Sequence, residues 1–206
     1  MDVRPILLSF QTAIIAILFT FVLGTGVAYI VFRLKNRKLK ILLNSLFTLP
    51  LVLPPTVFGF FLLTIFGVQQ PVGQFLLDFF AIQVVFSWPA TVIAAVAVSF
   101  PLMYRSALTA FEQMDSELLA VAQTLGFSES RYFRKIALPL SMNGLLAGGV
   151  LAFARGLGEF GATTMLAGNI AGKTRTLPLA IYSAVASGDW RLANQYVVIM
   201  LLLCLI

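Results

Sequence analysis

Apolar residues run through this chain in long blocks, with the polar residues confined to short stretches between them. A membrane-crossing helix needs about 20 apolar residues. By that measure the pattern predicts spans over residues 6–32, 41–66, 84–104, 136–154 and 192–206. Prolines punctuate them: Pro50, Pro54 and Pro55 lie inside the second, and Pro89 and Pro101 near the ends of the third. Between the second and third, the segment QFLLDFF has the look of a short helix lying at the membrane interface. The last block is short for a span and ends without a polar cap.

One interruption differs from the others. From Asp115 to Pro139 the chain is polar and of mixed charge, for about one helix and a turn. Asp115 or Ser116 can cap a first helix, with Glu117 in its first turn, where the helix dipole favours an acid. Leu118, Leu119, Val121, Ala122 and Leu125 give that helix an apolar side, and Gly126 is placed to end it in a left-handed conformation. A second short helix is expected over residues 128–136, capped by Ser128, before Pro139 returns the chain to the membrane. Helix, glycine, helix is a stiff shape, and small residues such as Ala120 and Ala122 suit a helix that lies in a partner's groove. The plainer reading is a loop that only joins two spans.

Composition narrows the classes. Of 206 residues, 60% are hydrophobic and 11% charged, against about a quarter charged in soluble domains. The mean hydropathy of +0.97 agrees, and lipid must be the solvent. A net charge of +6 could suggest nucleic acid, but most cations sit beside apolar blocks, where membrane topology explains them. Five lie between Arg33 and Lys40, and Arg105, Arg131, Arg134 and Lys135 make four more. Arg4, Lys173, Arg175 and Arg191 fall on the other side. The positive-inside rule then places the polar loop, residues 105–135, in the cytoplasm and the N-terminus outside. The chain has no histidine, and its single cysteine, Cys204, lies in an apolar run. Disulfides within the chain, Cys/His metal sites and Cys–His nucleophiles are excluded. The first apolar block is too long for a cleavable signal, and it lacks a small-residue cleavage site.

Two glycine patterns invite a nucleotide and are refused. Residues 167–174, ending Gly172-Lys173-Thr174, fit a relaxed phosphate loop but follow a membrane segment rather than a strand. Gly156, Gly158 and Gly161 fit the dinucleotide spacing without a βαβ unit around them. In an apolar segment glycines serve close helix packing. Gly144 and Gly148 form such a pair, either within one subunit or at a dimer seam.

The polar loop resembles the cytoplasmic loop of ABC-importer permeases, with its EAA…G…I-x-L-P pattern. Gly126 matches the glycine, and Ile136, Leu138 and Pro139 match the closing motif. The acid-Ala-Ala start falls on Ala120, Val121 and Ala122, so the acid and first alanine are missing, and Glu117 stands three residues earlier. Further stretches, TLPLVLPPTVFGF, FSWPATVIAAVAVSFPLMYRSA and GVLAFARGLGEFGATTMLAGNIAGKTRTLPLAIY, are similar to the molybdate branch of these permeases, whose relatives carry tungstate and sulfate.

The resemblance implies one all-α permease domain over residues 1–206. It would be a polytopic, type I-like helical bundle of about five spans in a prokaryotic inner membrane. It implies a homodimer, two cytoplasmic ATPase subunits that bind ATP and magnesium, and an extracytoplasmic oxyanion-binding protein, with no cofactor, metal or catalytic residue in this chain. Glu117, Ala120, Ala122, Gly126, Ile136, Leu138 and Pro139 would form the ATPase-coupling element. Pro55, Thr56, Arg155, Glu159, Thr163 and Thr164 are candidates for the pore. Arg155 and Glu159 have a second reading as a structural ion pair, since ionisable groups at depth pair or face water. An ATPase-independent transporter would need a coupling carboxylate in a span, where only Glu159 qualifies. An intramembrane enzyme would need His with Cys or Ser, or paired acids, which the chain does not offer.

Overall fold

The computed structural model describes residues 2–115 and 117–205, and every regular element among them is helical. In chain order these are α1 (Arg4–Arg33), α2 (Arg37–Val52), α3 (Pro55–Phe66), α4 (Pro71–Phe80), α5 (Trp88–Glu112) and α6 (Glu117–Thr124). Then come α7 (Glu129–Tyr132), one π turn (Phe133–Ala137), α8 (Leu138–Leu140), α9 (Met142–Leu157), α10 (Gly161–Ala167), α11 (Leu177–Ala186) and α12 (Trp190–Cys204).

The centre of the bundle is α5, with α1 on one side and α9 on another. The buried stripe of α1 consists of small and hydroxylated residues, among them Ser9, Thr12, Ala13, Ala16, Thr20 and Ala28. Lipid gives no hydrophobic drive between helices, so close packing and hydroxyl bonds must join them. The two helices are bridged accordingly: Thr12 and Thr91 hydroxyls lie 3.0 Å apart, and Thr20 and Ser99 3.1 Å apart. On the α9 side Gly144 and Gly148 resolve the two readings of their spacing. A Cβ on Gly144 would stand 2.6 Å from the Cβ of Ala110, and one on Gly148 2.5 Å from that of Ser106. The pair packs inside one subunit, against α5.

Among the described residues two helices, α1 and α5, are long and apolar enough to cross a membrane unbroken. The expected second and fourth spans are broken. Helices α2 and α3 meet at a bend of 114°, and the α7–α8 stretch meets α9 at 72°. The first break follows from Pro54-Pro55, which remove two successive N–H donors and push Leu53 into the extended region (φ −72°, ψ 139°). The third span runs on to Glu112, so the polar loop starts at Gln113 rather than at Arg105. Pro101 sits buried inside the helix and does not end it, because one lost backbone bond is tolerated where neighbouring helices enclose it. A helix does form at QFLLDFF, as α4. Helix α11 was not anticipated in the KTRTLPLAIYSAVASG stretch, and α12, with 15 residues, starts two residues before the expected block.

Candidate functional site

The polar loop folds as a short helix on a buried footing. The Glu117 N–H donates to the Asp115 carboxylate at 2.9 Å, giving α6 a cap; Ser116, the other candidate, lies outside the described residues. Gly126 closes the helix at φ +77°, with the Phe127 N–H donating to the Ala122 carbonyl at 2.9 Å. Ser128 caps α7, accepting from the Arg131 N–H at 3.4 Å. The expected second helix over 128–136 is therefore α7 followed by the π turn, which re-aims the chain toward α9.

The expected apolar side of α6 splits in two. Ala122 is buried, and Leu118 and Leu119 pack against the core with Ile136, Leu138 and the fully buried Ala137. Val121 and Leu125 face outward, 53% and 70% exposed, beside the exposed Glu117 and Ala120. Pro139 is exposed at the start of α8. An eight-residue helix thus holds on to the bundle with one face and offers a small apolar patch on the other, which suits a partner's groove.

The contacts that tie this loop down reach beyond the residues the pattern singled out. Arg33 at the end of α1 pairs with Glu129 at 2.5 Å, and Lys40 of α2 with Glu112 at 2.7 Å. The rings of Tyr29 and Phe133 lie 4.5 Å apart, and Tyr29 and Phe111 meet edge-on at 5.5 Å. Tyr132 is buried beneath α6, and burial pushes its phenol above the usual tyrosine range, so it stays neutral. The acids at 112 and 129 carried no periodic signal. The only hint in the sequence was that each lies near a helix end and so can reach the cation-rich first loop.

The pore candidates form a second locus at the junction of α3 and α10. Pro55 and Thr56 are exposed at the start of α3, and a Cβ on Gly161 would stand 2.8 Å from the Cβ of Pro55. Arg155 and Glu159 pair at 2.9 Å. The Glu159 carboxylate is buried and also accepts the Ala162 N–H at 2.7 Å, so one acid both neutralises the arginine and caps α10. Thr163 is buried, and Thr164 donates to the Phe160 carbonyl at 2.6 Å, which leaves neither hydroxyl standing free in an open cavity. The structure therefore brings Pro55, Thr56, Arg155 and Glu159 to one place and turns the two threonines into helix packing. The Gly172-Lys173-Thr174 turn closes on itself. The Thr174 hydroxyl accepts the Ile170 N–H at 3.0 Å, and Ile170's carbonyl takes the N–H groups of Lys173, Thr174 and Arg175. Those amides are spent within the turn and are unavailable to a phosphate.

A helical bundle with broken membrane helices, and a short helix that presents an apolar patch at one end, has the architecture of a membrane permease. Residues 20–206 match the family described as binding-protein-dependent transport system inner membrane component, and the chain belongs to that family. It is an ABC-importer permease, the membrane component of a system that works with a binding protein. The chain is 46% identical to the putative molybdenum transport system permease protein YvgM of Bacillus subtilis (strain 168), over 94% of this chain and 85% of that one. It is 44% identical to the molybdenum transport system permease protein ModB of Escherichia coli (strain K12), over 88% and 79%. It is 39% identical to the probable transport system permease protein NifC of Clostridium pasteurianum, over 97% and 69%. Its fold is similar to a chain of the MetNI methionine ABC transporter, solved in inward-facing conformations, at a TM-score of 0.74 and 16% identity, covering 98% of this chain and 88% of that one.

Proposed function

We propose that this chain is the permease of an ATP-driven importer that carries molybdate into the cytoplasm. The substrate reading is carried by one observation: relatives named as molybdenum permeases are 44–46% identical across nearly the whole chain. The mechanism rests on α6. Two copies of the chain enclose the path, since one bundle of this size is too small to surround a tetrahedral dianion alone. An ATPase subunit, with its own ATP and magnesium, receives each α6 in a groove. Closure of the ATPases draws the two helices together and opens the bundle outward. An extracytoplasmic binding protein then delivers the anion. This chain contributes no chemical step; hydrolysis belongs to the ATPases. The N-terminus is outside, and α6 is in the cytoplasm.

Reconstitution into proteoliposomes with the ATPase and the binding protein tests this. ATP-dependent uptake of radiolabelled molybdate is expected, together with a chain-to-ATPase ratio of one to one. Uptake of tungstate or sulfate in preference to molybdate would reassign the substrate within the oxyanion group. Uptake that persists without the ATPase would replace the mechanism by that of a secondary transporter.

A further inference from the structure

The α6 end of the bundle carries a polar stripe that neither the coupling helix nor the α3–α10 junction uses. Arg105 and Thr109 are exposed on α5, and Gln113, the residue that caps its C-terminal end in helical conformation, is exposed four positions further on, so the three share one face over about 12 Å. Across a shallow seam stands Asn143 of α9, also exposed. Two adjoining grooves follow this stripe. One, of about 350 Å³, is lined by Arg105, Ser106, Thr109, Gln113, Gly144 and Ala147. The other, of about 450 Å³, continues from Gln113 past Asn143 to Asp115.

Among the described residues Arg105 has no acidic partner within ion-pair distance; the three ion pairs lie elsewhere. The acids beside the stripe are both engaged: Asp115, at its far end, accepts the Glu117 N–H, and Glu112, two turns beyond Arg105 on α5, is paired with Lys40. A cation near the end of a span can serve topology alone. That reading accounts for a charge. It does not account for a hydroxyl and an amide at the next two positions of the same face, nor for a second amide opposite. Unsatisfied donors on a membrane helix face water or protein rather than lipid. The neighbouring small residues, Gly144 and the exposed Ala147, keep the floor of the groove low beside the stripe.

We propose that this stripe is the inner mouth of the anion path, with Arg105 as the attracting cation, Thr109, Gln113 and Asn143 as neutral donors, and the same stripe of a second copy of this chain as the opposite wall. The proposal rests on the importer reading and adds the residues that pass the anion on. One cation from each copy, set among neutral donors, lowers the barrier for a dianion without caging it, as a conducting site must. Arg105 acts on the rate and selectivity of passage, not on ATP hydrolysis.

The complete importer, with ATPase and binding protein in proteoliposomes, decides it. In Arg105→Gln, initial uptake of radiolabelled molybdate is expected to fall about tenfold, the lower end of what a steering charge contributes. Binding-protein-stimulated ATP hydrolysis keeps its wild-type rate, and Arg105→Lys restores most of the uptake. A second arm uses Thr109→Cys in a Cys204→Ser background. A negatively charged thiosulfonate reagent applied from the ATPase side blocks uptake, a positively charged one does not, and excess molybdate slows the modification. Wild-type uptake in Arg105→Gln, or equal loss with both reagents, overturns the proposal. So does a parallel fall of uptake and ATP hydrolysis that Arg105→Lys fails to rescue. If the wild-type complex moves another oxyanion, the substrate reading fails, and the same arms run with that anion decide the role of Arg105.

Discussion

Gly126 shows how much of the coupling loop depends on one backbone angle. At φ +77° an L-residue pays about 1–2 kcal/mol, while nothing stands within 4 Å of the position a Cβ would take. Space is not the constraint; conformation is. Gly126→Ala is therefore expected to lower stability by about 1 kcal/mol and leave assembly intact. Gly126→Asp adds a charge beside the exposed face of α6 and is expected to abolish co-purification with the ATPase; normal co-purification and transport in that variant would remove the loop from the docking surface. Glu159 poses the opposite case, a charge whose value lies in what it satisfies. Glu159→Ala leaves Arg155 without its partner and the Ala162 N–H without an acceptor, at a cost of about 1–3 kcal/mol. Glu159→Gln keeps the acceptor and loses the charge, so it should unfold at a temperature between those of the wild type and Glu159→Ala in a detergent melt. A Glu159→Ala melt that matches wild type would show that this pair is dispensable.

At the scale of elements, α6 has a buried face and an exposed face, and under the proposed docking role substitutions should sort by face. Val121→Asp and Leu125→Asp change exposed positions, so expression and melting temperature hold while ATPase association weakens. Ala122→Leu overfills a buried position and is expected to destabilise the loop by about 1–3 kcal/mol. Association of the ATPase with Val121→Asp and Leu125→Asp at wild-type strength would count against the outward patch as the docking face. The apolar positions of α6 were readable in the sequence, but the division between faces was not. Leu118 and Leu125 look alike as letters, and only the footing supplied by Ile136, Ala137 and Tyr132 distinguishes them. The cap residues Asp115 and Ser128 and the turn at Gly126 were readable because each works within a few residues of itself. The ion pairs Arg33–Glu129 and Lys40–Glu112 join residues 96 and 72 positions apart, and no local pattern announces them. The break at Pro54-Pro55 was visible as a kink; its size of 114° was not, since α3 packs on α10, a helix about a hundred residues further along the chain.

For the whole molecule, orientation is the quantity to measure. A single cysteine introduced at Thr124, in a Cys204→Ser background, should react with an impermeant maleimide only from the cytoplasmic side of intact cells; reaction from the exterior would invert the bundle and detach α6 from any ATPase. Substrate choice should follow the binding protein. Pairing the permease with a sulfate-specific binding protein is expected to shift uptake toward sulfate, and persistent molybdate preference would place selectivity within the bundle. The tight α5–α9 seam has one more consequence. With Ala110 and Ser106 pressed into Gly144 and Gly148, sliding of the two helices past each other is sterically opposed, which favours tipping them as one beam. The 25 residues of α5 reach about 37 Å, and each degree of tilt at its inner end sweeps the far end through about 0.6 Å. A nudge of a few degrees would displace the outer rim by the width of a single oxygen atom, which makes leverage, rather than deformation, the gearing of this machine.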